Sequence, residues 1–171
     1  MKKIILSVVC LSLASHIAIA QNAPAAQPTP VPAARGPALD LALEAAKIAL
    51  DTCRGLDQKV GVSVVDSAGV LRVLLATDGA AARGVQNSTY KAQTALAFNA
   101  PTSQLAEQAK NDKAVADKLA SNQNYLNRAG GILIKVGDEV IGAIGVGGAR
   151  GSEKDEACAI AGLEKVKARL Q

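Results

Sequence analysis

The residues with the clearest capacity for chemistry lie on one face of a helix predicted over residues 87–99. Lys91, Thr94 and Phe98 follow one another at helical spacing, which brings a cation, a hydroxyl and an aromatic ring together. Such a mixture is unusual for a face that only packs in a core, so it marks a candidate binding site. A structural interpretation stays open, in which Phe98 fills the core and Lys91 keeps its ammonium in water.

A glycine-rich segment, residues 142–152, leads into the last predicted helix and forms a second candidate site. Its backbone N–H groups and the positive end of a helix suit a carboxylate or a phosphate. The candidate anion-binding residues are Gly147, Gly148, Arg150 and Ser152. The spacing fits neither the dinucleotide fingerprint nor the P-loop, because residue 150 is arginine and no Gly-Lys-Ser/Thr follows. A tight strand-to-helix turn without a ligand is the alternative.

Several classes of chemistry are excluded by composition. His16 is the only histidine and Met1 the only methionine, so residues 21–171 cannot supply a Ser-His-Asp triad, a His-ligated zinc or a His or Met ligand to haem iron. A formal charge of +4 and 2% aromatic residues argue against a nucleic-acid partner. The adjacent carboxylates Asp155 and Glu156 are expected to be solvated, and no convincing acid–base pair is found.

The chain divides into three segments. Residues 1–20 have a basic start, an apolar run and small residues before Gln21, which is typical of a secretory signal peptide. Residues 21–37 hold five of the six prolines and predict an extended or disordered spacer outside the core. Residues 38–171 suit one domain. No later apolar run is long enough for a membrane span, so we expect a periplasmic or secreted protein after signal cleavage.

Two cysteines remain after the predicted cleavage. Cys53 lies near the end of the first predicted helix, and Cys158 lies near the start of the last. An even pair in an oxidising compartment predicts one disulfide, whereas two separately buried thiols are the alternative.

Hydrophobic periodicity predicts an α+β fold with the order α-β-β-α-α-β-β-α. Two β-hairpins, over residues 60–75 and 132–146, are expected to form an antiparallel sheet flanked by helices, with the helices on one face. Gly142 and Gly145 inside the last strand indicate a close backbone approach or a bulge.

Helix starts are predicted at two sites. Thr102 is predicted to cap a helix that continues through a polar stretch to about residue 119. Ser152 and Asp155 are predicted to form a capping box at the last helix.

Seven short motifs occur in order between residues 39 and 170. They are Val62-Ser-Val-Val-Asp66-x-x-Gly69, Asp78-Gly79-Ala80, Lys91-Ala92-x-Thr94-Ala95, Asn99-Ala-Pro101-Thr102-Ser103-x-Leu105, Gly130-Gly131, Ile141-Gly142-Ala-Ile-Gly145-Val-x-Gly148 and Asp155-Glu156 with Ala161-Gly162. Together they resemble the GlcG/HbpS family, whose members include extracellular haem-binding proteins and the C-terminal domain of PduO-type corrinoid adenosyltransferases.

The resemblance implies a secreted protein that binds haem or another tetrapyrrole in haem or iron handling or sensing. It also implies a homo-oligomer and, in some members, a membrane sensor kinase as partner. Thr102 matches a haem contact of the family and is a weak axial candidate for the iron. The candidate haem-binding residues are Lys91, Thr94, Phe98, Thr102, Arg83 and Arg128.

Because residues 21–171 contain no histidine, weak haem binding is expected, through apolar enclosure and pairing of the propionates with Arg83, Lys91, Arg128 or Arg150. Other iron-side donors are Tyr90, Tyr125, Lys91, a cysteine or water. The pocket is expected around the helix from Lys91 to Thr102 and the turn at residues 142–152.

Two other function classes stay open. One is an enzyme that degrades haem or acts on a small organic acid, for which no catalytic residue is assigned. The other is a partner-binding module of a sensory system.

Overall fold

The computed structural model describes residues 33–171, so the predicted signal peptide and the first part of the predicted spacer lie outside the described residues. The elements are α1 (Leu39–Gly55), β1 (Gly61–Asp66), β2 (Leu71–Ala76), α2 (Ala82–Phe98), α3 (Thr102–Asn111), α4 (Lys113–Ala120), β3 (Gly131–Val136), β4 (Glu139–Gly147) and α5 (Ser152–Val166), followed by a 3-10 turn at Lys167–Arg169. The predicted α+β class and its two hairpins are confirmed.

The four strands form one antiparallel sheet with the order β2-β1-β4-β3. The two hairpins are joined through their inner strands, so that Val64 of β1 lies between Val73 of β2 and Ile144 of β4. All six residues of β1 are buried, as are the last seven of β4. The inner strands therefore carry the core on both of their faces.

Helices cover both faces of the sheet, so the prediction of helices on one face is wrong. The side chains of Val62 and Ile144 pack with α1 and α5 on one face. On the other face, Val65 and Ala143 pack against α2. The second face was missed because Ser63, Gly145 and Gly147 lie there, opposite α2. Small residues do not appear in an apolar alternation, although they allow a helix to lie close.

Glycines set the distance between α2 and the sheet. A Cβ at Gly145 would overlap the carbonyl oxygen of Ser88, and a Cβ at Gly131 would overlap that of Lys91. Glycine is the residue that permits this approach, because it has no side chain to separate the two backbones. The close backbone approach predicted at Gly145 is confirmed.

Helix boundaries differ from the prediction at two places. α2 begins at Ala82 rather than near residue 87. The helix predicted from residue 102 to about 119 is divided at Asp112, whose carboxylate accepts hydrogen bonds from the backbone N–H groups of Ala114 (2.8 Å) and Val115 (3.4 Å). Asp112 therefore caps a separate helix, as a short acidic side chain does at a helix start.

The last residues of the predicted spacer are held against the domain. The carbonyl of Arg35 accepts a hydrogen bond from the backbone N–H of Ser67 (2.8 Å), and its guanidinium pairs with Glu139. Within residues 33–171, we find no helix that combines the length and the apolar character needed to cross a membrane.

α1 and α5 lie side by side, and the structure joins them through a disulfide between Cys53 and Cys158, with 5.6 Å between the Cα atoms. Both cysteines are fully buried in the core formed by α1, α5 and the sheet. The bond links positions separated by 105 residues, so it closes most of the domain into one loop.

Replacing both cysteines, Cys53→Ala with Cys158→Ala, is expected to lower the free energy of unfolding by about 2–4 kcal/mol, because the disulfide restricts the unfolded chain. Urea unfolding of the oxidised protein and the double variant measures the difference. A reductant should shift the unfolding midpoint of the wild type and leave that of the double variant unchanged. Equal midpoints for oxidised and reduced wild type would contradict the prediction.

Candidate functional site

A buried ion pair occupies the region where the haem pocket was expected. The ammonium of Lys91 on α2 lies 2.7 Å from a carboxylate oxygen of Asp155 on α5, and the two side chains are 5% and 4% exposed. The structural interpretation with the Lys91 ammonium in water is therefore wrong, and so is the expectation that Asp155 is solvated. Neither charge is free to meet a ligand in this structure.

The glycine-rich turn already has an anion, and it is a carboxylate of the same chain. The second oxygen of Asp155 accepts a hydrogen bond from the backbone N–H of Ala149 (2.9 Å). The N–H of Arg150 donates to the side-chain oxygen of Gln58 (2.8 Å). The predicted capping box is wrong, because Asp155 points to Lys91 and the hydroxyl of Ser152 lies against Glu153.

Burial raises the pKa of the Asp155 carboxyl, and the charge of Lys91, its hydrogen bond and the N–H of Ala149 oppose that rise without cancelling it. A carboxyl whose pKa is raised in the folded state makes its full contribution to stability at pH values below its ordinary pKa of 3.8. That contribution is lost as the pH rises through the raised value.

Two threonines of the predicted site have structural partners. The hydroxyl of Thr102 accepts a hydrogen bond from the backbone N–H of Gly131 (2.9 Å), so it ties the start of α3 to β3 instead of capping α3. The hydroxyl of Thr94 donates to the carbonyl of Tyr90 (2.7 Å) and accepts from the N–H of Leu126 (3.0 Å). Both threonines are fully buried.

The remaining member of the predicted helix face, Phe98, lies half-buried at the surface. Its ring meets that of Tyr125 edge to face, with 5.3 Å between the centroids, and the ammonium of Lys118 lies 4.5 Å from its centroid. Lys91, Thr94 and Phe98 thus share a helix but have three different environments.

Arg128 and Ser152 line a cavity of about 510 Å³ between α3 and α5. Glu153 and Glu156 line the same cavity, and the hydroxyl of Ser103 donates to Glu156 (3.0 Å). Two carboxylates beside one guanidinium make this cavity unfavourable for the two propionates of a haem.

A wider groove along α2 contains Arg83. It has a volume of about 1010 Å³, at the upper end of the range for ligand sites, and we call it the α2 groove. Its lining residues are Leu74, Ala82, Arg83, Val85, Gln86, Asn87, Thr89, Tyr90, Gln123, Asn124 and Leu126. Unlike four other cavities in residues 33–171, this groove combines an arginine with a lining free of carboxylates.

The phenol of Tyr90 belongs to the α2 groove, and its oxygen accepts a hydrogen bond from the side-chain amide of Gln86 (2.8 Å). Sequence reasoning named Tyr90 only as one donor among several. The signal was present, because Arg83, Gln86 and Tyr90 are spaced by three and four residues on one helix face. It was missed because α2 was predicted to begin after Gln86. The described part of the chain holds no cluster of three His, Cys, Asp or Glu residues suited to a metal ion.

Comparisons with known proteins identify the class. The family model described as "Haem degrading protein HbpS-like" matches residues 38–164. The chain belongs to the HbpS-like family, and the resemblance derived from the motifs is confirmed. A search of curated protein sequences found no match.

Solved structures agree with this assignment. A crystal structure of HbpS is 34% identical, with a TM-score of 0.70 over 77% of this chain and 90% of that one. A double mutant of Streptomyces reticuli HbpS is 31% identical, with a TM-score of 0.70 over 90% and 98% of the two chains. A PduOC–haem complex is 22% identical over 75% and 94%, with a TM-score of 0.70, and shows the same fold.

Proposed function

We propose that the protein binds haem, or a similar tetrapyrrole with carboxylate side chains, in the α2 groove and serves in haem handling or sensing. Membership of the HbpS-like family supports this ligand class. The observation that carries the proposal is the lining of the groove, which joins apolar side chains, one guanidinium and one phenol without a carboxylate.

These residues fit the chemistry of haem. A haem needs an apolar slot for its ring, a cation for its propionates and a donor for its iron. Leu74, Val85 and Leu126 provide apolar surface, Arg83 provides the cation and Tyr90 provides an oxygen donor. Bound haem would supply a redox-active iron, and the part of the protein is to hold and orient it.

Arg83→Gln is expected to weaken haemin binding by up to about fivefold, because an exposed ion pair contributes about 0.2–1 kcal/mol. Haemin titration of the purified protein, followed by visible absorbance, measures the affinity. Arg128→Gln, in the cavity with two carboxylates, is the matched control and should bind as the wild type does. Wild-type absorbance that never saturates, or equal losses in the two variants, would reject the groove as the haem site.

A second candidate function is haem degradation, which the description of the family favours. It requires oxygen and an external reductant, because the described residues offer no redox group other than the buried disulfide. Incubation of the haemin-loaded protein with ascorbate in air tests it. Loss of the haem absorbance with a ring-opened product, faster than for free haemin, would support catalysis, and an unchanged spectrum would leave binding alone.

We further propose that this binding takes place in the periplasm or outside the cell, in a homo-oligomer. The signal-like residues 1–20 and the Cys53–Cys158 disulfide support an oxidising compartment. The edge strand β2 supports assembly, because its outer side has no strand partner and Leu71 on it is 42% exposed. Light scattering of the purified protein tests the oligomeric state. A membrane sensor kinase remains a proposed partner, to be tested by co-purification with membrane proteins.

A further inference from the structure

We propose that Tyr90 supplies the iron ligand, as a phenolate oxygen, when ferric haem occupies the α2 groove, and that Gln86 positions this oxygen. The inference rests on the proposed function and adds to it the residue that ligates the iron and the type of visible spectrum expected. It follows from the partners of the other donors, from the lining of the groove and from the hydrogen bond between Gln86 and Tyr90.

The other candidate protein donors in residues 33–171 are held in other contacts or lie outside the α2 groove. The ammonium of Lys91 is held in the buried ion pair, and the hydroxyl of Thr102 is fully buried against Gly131. The two cysteines form the disulfide. Tyr125 packs against Phe98 and lines a separate cavity of about 410 Å³. Tyr90 is the donor that shares the large groove with an arginine.

The surroundings of Tyr90 suit a ligand to ferric iron. Tyrosine is an established protein ligand of haem iron. The amide of Gln86 donates to the phenol oxygen at 2.8 Å, and a donated hydrogen bond stabilises negative charge on its acceptor. Gln86 is one helical turn before Tyr90 on α2, which places the two side chains on the same helix face and within reach of each other.

The ligation step balances without a redox partner. The O–H bond of Tyr90 would break, its proton would pass to solvent, and the oxygen would replace a water molecule on the ferric iron. No electron is transferred, so neither an oxidant nor a reductant is required. Because a proton is released, the ligation becomes more complete as the pH rises.

The experiment is a haemin titration of the purified protein and of four variants, recorded as visible spectra across a range of pH. The wild type should saturate and show phenolate-to-iron charge-transfer absorption. Tyr90→Phe should lose this absorption and bind at least about tenfold more weakly. Tyr125→Phe, the same change at the other tyrosine, should keep the charge-transfer absorption and the affinity of the wild type. Gln86→Leu should move the midpoint pH of the band upwards, and Gln86→Lys, which can still donate, should restore it.

The outcomes distinguish the assignment of Tyr90 as the iron ligand from the proposal that the α2 groove binds haem. Saturable binding with the same spectrum in wild type and Tyr90→Phe would overturn the assignment of Tyr90 and leave haem binding intact. Loss of the band in Tyr125→Phe would move the ligand to the other cavity and overturn it as well. A wild type that never saturates would overturn the proposed function, and the ligand assignment with it. An unchanged pH midpoint in Gln86→Leu would overturn the role of Gln86.

Discussion

Lys91→Met is expected to lower the free energy of unfolding by about 3–5 kcal/mol, because it leaves the carboxylate of Asp155 buried without its counter-charge. The methionine chain fills a similar volume, so a large cavity does not contribute. Urea unfolding followed by circular dichroism measures the change. Lys110→Met is the matched control, since Lys110 is paired with Glu107 but both side chains are 70% exposed. It should stay within about 0.5 kcal/mol of the wild type.

A second substitution tests whether the unpaired charge of Asp155, rather than the lost packing of the lysine side chain, causes the destabilisation. Adding Asp155→Asn to Lys91→Met removes the buried charge, while the amide oxygen can still accept from the N–H of Ala149. The double variant should therefore be more stable than Lys91→Met alone. If it is less stable, the charge of Asp155 is not the source of the deficit.

The deficit of Lys91→Met should also depend on pH. Burial raises the pKa of Asp155 already in the presence of Lys91, and removal of the lysine takes away the largest influence that opposes this rise. As the pH falls through the raised pKa, the carboxyl of Asp155 should become protonated, and its uncompensated charge disappears. The destabilisation should therefore shrink on acidification, whereas a deficit of constant size would point to lost packing.

Gly145→Ala is expected to lower the free energy of unfolding by about 3 kcal/mol or more, at the upper end of the cost of overpacking. The added Cβ would overlap the carbonyl oxygen of Ser88 and press on the backbone N of Ala92, so that α2 has to move away from the sheet. A side chain could rotate to relieve such a contact, but helix backbone cannot.

The matched control for this change is Gly55→Ala at the end of α1, where a Cβ meets no atom within 4 Å. This variant should be as stable as the wild type or up to about 1 kcal/mol more stable, because alanine loses less backbone freedom on folding than glycine. Chemical unfolding of both variants makes the comparison. Equal stability of Gly145→Ala and wild type would mean that α2 has room to shift.

Local patterns predicted the elements well, and the partners of individual side chains poorly. The hairpins followed from alternating valines and leucines, because a half-buried strand has a period of two residues. Asp155, in contrast, has the local sequence of an exposed residue at a helix start. Its counter-charge, Lys91, is 64 residues away, and no local periodicity connects them.

The candidate site was also predicted less accurately than the helices and strands. The glycine-rich turn was interpreted as a site for a bound anion, whereas the carboxylate that accepts from the N–H of Ala149 belongs to Asp155 of the same chain. The α2 groove was missed because the predicted start of α2 was too late in the sequence. Placing the helix start at residue 87 rather than Ala82 removed Arg83 and Gln86 from the face that also carries Tyr90. Helix ends are the least certain part of a pattern, because alanine and glycine give no strong start signal.

The positions of the two tyrosines have an optical consequence. The chain has no tryptophan, so Tyr90 and Tyr125 are its only fluorophores with useful emission under near-ultraviolet light. Each lines a different surface cavity, and the densely packed interior contributes no fluorophore. The natural emission of the protein therefore reports on two surface sites and on nothing else. With Tyr125→Phe the signal belongs to the α2 groove alone, and a small molecule entering it is seen by quenching without any attached dye.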